Sequence, residues 1–163
     1  ILKEIDGIKA ILTPRADYKI SGRVVSLRHY HMDWLSKLSP VDLALAWGDF
    51  SSKKYDEHLS YSHSDRYYSY RYSGSFDGDP KTIATHTANE HLIPANSIIN
   101  KAIRSIKEDE IVELEGQLVN IEWMDKDNQA QNLNSSLTRD DVGAGACEII
   151  YVTKVKIQNK VFE

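Results

Sequence analysis

The chain is short of cysteine, proline, long apolar runs and positive charge. Its single cysteine, Cys147, excludes an internal disulfide and leaves the redox compartment open, because a domain of this size needs no covalent staple. With 4 prolines and 8 glycines in 163 residues it is neither collagen-like nor a Pro/Gly-rich disordered polymer. No stretch approaches the roughly 18 consecutive apolar residues of a membrane-spanning helix. Lysine and arginine total 20 against 24 acids, a net charge of −4, so a broad phosphate-neutralising surface is not indicated, although a local basic stripe is compatible with it. What remains is an ordinary globular composition, 41% hydrophobic and 27% charged. The length suits one domain over residues 1–163, with 1–15 as a lead-in and 16–158 as the core. The chain starts at Ile1 rather than Met, which reads as a processed or trimmed form, with room for a signal peptide or anchor ahead of it.

Periodicity places the elements. Over residues 17–30, Ile20, Gly22 and Val24 share one face, then Val25, Leu27 and His29 take the other parity, which predicts a strand with a bulge near Val24 and Val25. Ser39-Pro40-Val41-Asp42 has the form of a helix start, and Gly48 of its stop. The polar stretch 51–66 reads as a loop or short irregular helix, and Tyr67–Tyr72 as a strand with Tyr68, Tyr70 and Tyr72 on one side. Residues 81–93 read as extended. Asn96 or Ser97 then caps an amphipathic helix with Ile98, Ile99, Ala102, Ile103 and Ile106 on its stripe. Ile111–Trp123 changes parity after Leu118, which predicts a second bulge there, and a polar loop at 125–136 precedes a final strand from Cys147 to about Ile157.

Long strands that need bulges are what a small closed sheet uses to turn its corners. The order is mainly β within an α+β frame. It predicts an OB-like curved barrel of five strands, with one helix between strands 3 and 4 and a short helix inserted after strand 1. An open α+β sheet covered by the same two helices is the alternative.

Three strings carry a resemblance: Ser39–Gly48, His86–Asn96 and Ser136–Glu148, the last containing Leu137-Thr138-Arg139-Asp140-Asp141-Val142-Gly143-Ala144-Gly145-Ala146-Cys147. Over roughly residues 10 to 155 the chain resembles a family of uncharacterised bacterial proteins. The resemblance implies a bacterial protein, often with one hydrophobic segment ahead of this domain, and no activity. By that resemblance the domain is expected in the cell envelope, on the periplasmic side of the inner membrane, touching the membrane only through a segment outside this chain. A cytoplasmic location is the alternative.

Three groups of residues offer chemistry. His86 and His91 are candidate metal ligands, as are the paired imidazoles of His29 and His31, but the 86/91 spacing fits neither a helix nor a strand face and no metal or other cofactor is expected. Cys147 follows a glycine turn whose N–H groups suit an oxyanion, with His86 or His91 as its base and Asn89 or Asp140 as orienter. Strand parity argues for the plainer outcome, because Cys147 falls in step with Ile149, Val155 and Ile157 and opposite Glu148, Lys154 and Lys156, as a core thiol would. Finally, Arg139, Asp140, Asp141, Gly143, Gly145, Glu148 and Asn89 are candidate ligand-binding residues, against the alternative of a loop that satisfies itself through Asx-turns. Tyr67, Tyr68, Tyr70 and Tyr72 with Arg66 and Arg71 resemble a base-stacking face, but on an acidic chain cross-strand packing is the simpler reading.

The expected function is therefore a non-catalytic binding or interaction domain for an unidentified protein or small ligand. A cysteine-dependent hydrolase or transferase using Cys147 with His86 or His91 is the alternative. A single-stranded nucleic-acid-binding barrel stands third, and nucleic acid is disfavoured as a partner.

Overall fold

The computed structural model describes residues 1–139, 141, 143 and 145–163. The fold is mainly β, with a curved sheet that rings through five strands. In chain order the elements are β1 (Leu2–Ile5), β2 (Ile8–His29), α1 (Trp34–Leu38), β3 (Val41–Ala46), two 3₁₀ turns at Gly48–Ser51 and Lys53–Tyr55, β4 (Leu59–Ser64), β5 (Tyr67–Tyr72), α2 (Pro80–Thr85), β6 (Thr87–Pro94), α3 (Ser97–Ser105), β7 (Ile111–Met124), β8 (Ala130–Leu133), β9 (Glu148–Ile157) and β10 (Lys160–Phe162). The ring runs β2-β3-β6-β9-β7 and closes where β7 pairs with β2. All its pairings are antiparallel except β6 with β9, which are parallel from Glu90↔Glu148 to Pro94↔Val152. No helix is long and apolar enough to cross a membrane, among the described residues.

The inside of the ring is an apolar core. Val24, Leu43, Leu45, Leu92, Leu114 and Ile150 meet there with Ile99 and Ile103 of α3. Asn96 starts α3 by accepting from the N–H groups of Ile98 and Ile99, each at 2.9 Å. Ile98, expected on the buried stripe, is 54% exposed, so the stripe begins at Ile99. Leu12, Leu38, Ile93, Val119, Ile121 and Ile149 form a second core on the opposite face of the same strands.

Val25 is the unpaired residue of a bulge in β2, at the expected place. The parity change after Leu118 has a different origin. β7 runs without an extra residue and passes from one core to the other, while the unpaired residues are Arg15 in β2 and Thr153 in β9. The Thr153 bulge reverses the parity of β9, so Val155 faces the ring interior and is not in step with Cys147.

Four expectations about local structure are corrected. Ser39 and Pro40 end a helix instead of starting one: α1 opens on Asp33, which caps Ser36 N–H, and Ser39 closes it before Pro40. Val41–Ala46 is then a strand buried on both faces between β2 and β6, which is why its apolar residues are too crowded for one side of a helix. The 51–66 stretch holds the second 3₁₀ turn and β4, which pairs with β5 from Leu59↔Tyr72 to Ser64↔Tyr67. The start of 81–93 is helical because Asp79 caps Lys81 N–H and Pro80 occupies the first turn. The polar 125–136 loop likewise contains β8, an outer strand on β7.

At Gly116 the β7 and β9 backbones approach so closely that a Cβ would lie 2.0 Å from the carbonyl oxygen of Tyr151. Backbone cannot rotate away as a side chain can. Gly116→Ala is therefore expected to destabilise the fold by about 3 kcal/mol, read as a lowered urea midpoint with an unchanged slope.

Candidate functional site

Alternation along β3, β6 and β9 sends neighbouring residues to opposite faces. Glu90 and Glu148 point into the ring with Leu92 and Ile150, whereas Asp42, Asn89, His91 and Cys147 point outward and meet beneath the β4–β5 hairpin.

On the outer face two chains of polar contacts converge on the thiol. In the first, His91 Nδ1 lies 2.9 Å from Oδ1 of Asp42, without the alignment of a hydrogen bond, and the imidazole stands beside the Cys147 side chain. Burial opposes a charge on the ring, but the nearby Asp42 carboxylate, with Cys147 beside the ring, outweighs it and lifts His91 to about 9. In the second, Asn89 Nδ2 donates to Cys147 Sγ at 3.3 Å and to the Arg66 carbonyl at 2.9 Å, while its Oδ1 lies 3.0 Å from His63 Nε2. Because Oδ1 only accepts, His63 carries its proton on Nε2, and Nδ1 accepts from Ser26 Oγ at 2.8 Å. Burial holds the pKa of His63 below its ordinary value, in keeping with this neutral tautomer.

The hairpin reaches this network through its turn. Asp65 and Arg66 both have positive φ, 48° and 66°, as a two-residue mirror-image turn requires. Arg66 is an unusual residue for that conformation. Its guanidinium donates to the Ser39 carbonyl at 3.1 Å, lies 3.3 Å from Asp42 Oδ1 and stacks over the Tyr30 ring. These contacts hold the strained turn down over the site.

Inside the ring, Arg139 donates to Glu148 and to the Tyr18 hydroxyl, which donates to Glu90 Oε1 at 3.1 Å. Arg139 also lies over the Trp47 ring. One cation thus faces two buried carboxyl groups that are register partners on parallel strands. Each has a buried Oε2 without a partner. Burial, then the charge of Glu148, raises Glu90 far above the carboxylate range, and burial lifts Glu148 to about 7 against the pull of Arg139.

Cys147 is half-buried, which corrects the expectation of a core-facing thiol. It forms the wall between two cavities. One, of about 390 Å³, lies against Tyr67, Tyr68, Tyr70, Ala84, Ala88 and Arg139. The other, of about 270 Å³, lies against Leu35, Arg66, His91, Ile121, Leu133 and Ile149. Gly143 borders the first and Gly145 the second, both with positive φ.

Of the candidate residues, His91, Asn89 and Cys147 come together, and Arg139 joins Glu148. His86 does not join the thiol. Its Nδ1 donates to the Thr82 carbonyl at 3.0 Å and its ring packs by Trp47 and Phe50. Asp141 accepts from Ser136 Oγ at 2.7 Å, and Asp140 lies outside the described residues. His29 and His31 stack on each other, and no group of three His, Cys, Asp or Glu side chains suits a metal ion among the described residues. Sequence reasoning missed the roles of Asp42, His63, Tyr18 and Glu90. A lone acid inside the apolar run Val41–Ala46 was the available signal for Asp42. No protein-family model matches this chain, and no curated protein matches its sequence.

Glu148 and His91 bind protons more tightly in the folded than in the unfolded chain. Their stabilisation is complete below the unfolded values, near 4.3 and 6.5, and is lost as pH rises through about 7 and about 9. Thermal melts are expected to show Tm falling between pH 5 and pH 9 by on the order of 5 °C or more. Glu90→Gln mimics the protonated acid and should make that fall shallower.

Proposed function

We propose that the protein is a cysteine-dependent hydrolase or transferase in which Cys147 is the nucleophile, His91 its proton carrier and Asp42 the group that orients and charges the ring. The series Asp42–His91–Cys147 carries this reading: His91 Nδ1 lies 2.9 Å from Asp42, and His91 and Cys147 line the same cavity, which is the grouping of orienter, base and nucleophile that covalent acyl transfer uses. Sγ attacks a substrate carbonyl carbon, and the C=O electron pair moves to oxygen. As that pair returns, the bond to the leaving group breaks and His91 supplies the leaving group's proton. Water or another acceptor then gives a proton to His91, attacks the thioester and releases Sγ. Asn89 Nδ2 is a donor already aimed at the reacting region.

In the same reading the ring is an OB-like barrel. Its strand order, the parallel β6–β9 pair and the position of α3 between the third and fourth ring strands support this. Fold likeness alone carries no activity. A binding domain remains the second reading, since the two cavities would hold a small ligand without any bond to sulfur.

Iodoacetamide distinguishes them. At pH 7 the native chain is expected to be alkylated at Cys147 faster than the urea-unfolded chain. His91→Ala should slow native labelling by roughly tenfold or more, and Asp42→Asn should slow it less. Native labelling slower than that of the unfolded chain, and unchanged by His91→Ala, would overturn the enzyme reading in favour of binding.

A further inference from the structure

The two cavities differ in a way that bears on the substrate. His91 borders the smaller cavity and, among the described residues, not the larger one, whereas Cys147 borders both. The group that protonates a departing atom must be within hydrogen-bond reach of it. The leaving group therefore lies on the His91 side and the acyl group on the other.

The walls then describe each half. On the leaving-group side Leu35, Ile121, Leu133 and Ile149 are branched aliphatic side chains around about 270 Å³. On the acyl side Tyr68 and Tyr70, with Tyr67 that borders both cavities, line about 390 Å³ together with the small Ala84 and Ala88 and the charged Arg139 and Glu148, so this half is the more aromatic and the roomier. The Tyr68 hydroxyl is tied 2.6 Å from Thr87 Oγ1, which fixes the ring as a wall. Aromatic rings offer offset-stacking or edge-to-face contact to a planar group. We infer that the substrate is an ester, thioester or amide with a planar, aromatic acyl group and a compact aliphatic leaving group. This rests on the reading of Cys147 as a nucleophile.

Two thioesters of opposite arrangement test it on the intact chain. S-isobutyl thiobenzoate has an aromatic acyl group and an aliphatic leaving thiol; S-phenyl 3-methylbutanethioate has the reverse. In each case the S–C bond to Cys147 forms, the thiol departs with the proton from His91, and intact mass reports the acyl-enzyme. Each rate is divided by that of the same probe with free glutathione, which removes intrinsic leaving-group ability. The normalised rate is expected to favour S-isobutyl thiobenzoate by about tenfold or more. Leu133→Asp, at an exposed edge of the leaving-group cavity, should lower that preference by weakening the isobutyl contact. Ala84→Trp should block the benzoyl group more than the 3-methylbutanoyl group. Acyl-enzyme formation with equal or reversed preference would overturn the assignment of the two halves while leaving Cys147 a nucleophile. No adduct from either probe, together with slow alkylation by iodoacetamide, would overturn both.

Discussion

The parallel pairing of β6 with β9 sets the register on which the rest of the structure depends. These strands are separated in sequence by a helix, β7 and β8, yet Glu90 is held opposite Glu148 and His91 opposite Ile149. The pairing joins the two halves of the ring, and it also decides what lies beside Cys147. Side chains alternate with a period of two, so a slip of one residue would exchange the faces, bringing Glu90 toward the thiol and turning His91 into the apolar interior. Gly116 lets β7 come against β9, and the Thr153 bulge then returns Val155 to the interior.

One set of strands thus carries two polar clusters of opposite character. Inside the ring, Arg139, Tyr18, Glu90 and Glu148 approach neutrality by holding a proton, because buried like charges cannot both ionise at low cost. Outside it, Asp42 and Cys147 keep the proton on His91, and a neutral His63 steadies Asn89. Both clusters are stabilised by protonation, one on a carboxyl and the other on an imidazole. Their nearness is a consequence of strand alternation: Asn89, Glu90 and His91 are consecutive, as are Cys147 and Glu148.

The hairpin supplies what the ring lacks. Residues 59–72 bring His63 and Arg66 over the outward face, and the positive φ of Arg66 is held by Asp42, the Ser39 carbonyl and Tyr30. The same segment walls the larger cavity with Tyr67, Tyr68 and Tyr70. Alternating tyrosines that read as ordinary cross-strand packing are also a cavity wall here, since Tyr68 and Tyr70 turn toward the protein while Tyr67 and Tyr72 are about half exposed.

Local sequence alone determined the features with short-range causes. The β-rich class, the Val25 bulge, α3 with its Asn96 cap and the Tyr67–Tyr72 strand all follow from alternation, helical spacing or a capping side chain within a few residues. Long-range pairing overrode local signals elsewhere. Ser39-Pro40 looks the same after a helix as before one, and Val41–Ala46 becomes a strand because β2 and β6 cover both of its faces. The parity change in β7 was visible, but its cause lay in the partner strands. Cys147, His91 and Asn89 were legible as reactive types. Asp42 and His63 were not legible as their partners, because strand pairing and the hairpin join residues far apart in the chain. Only the tertiary structure chose His91 over His86: two imidazoles five residues apart are chemically alike, and what separates them is that one stands on β6 beside Cys147 while the other closes α2.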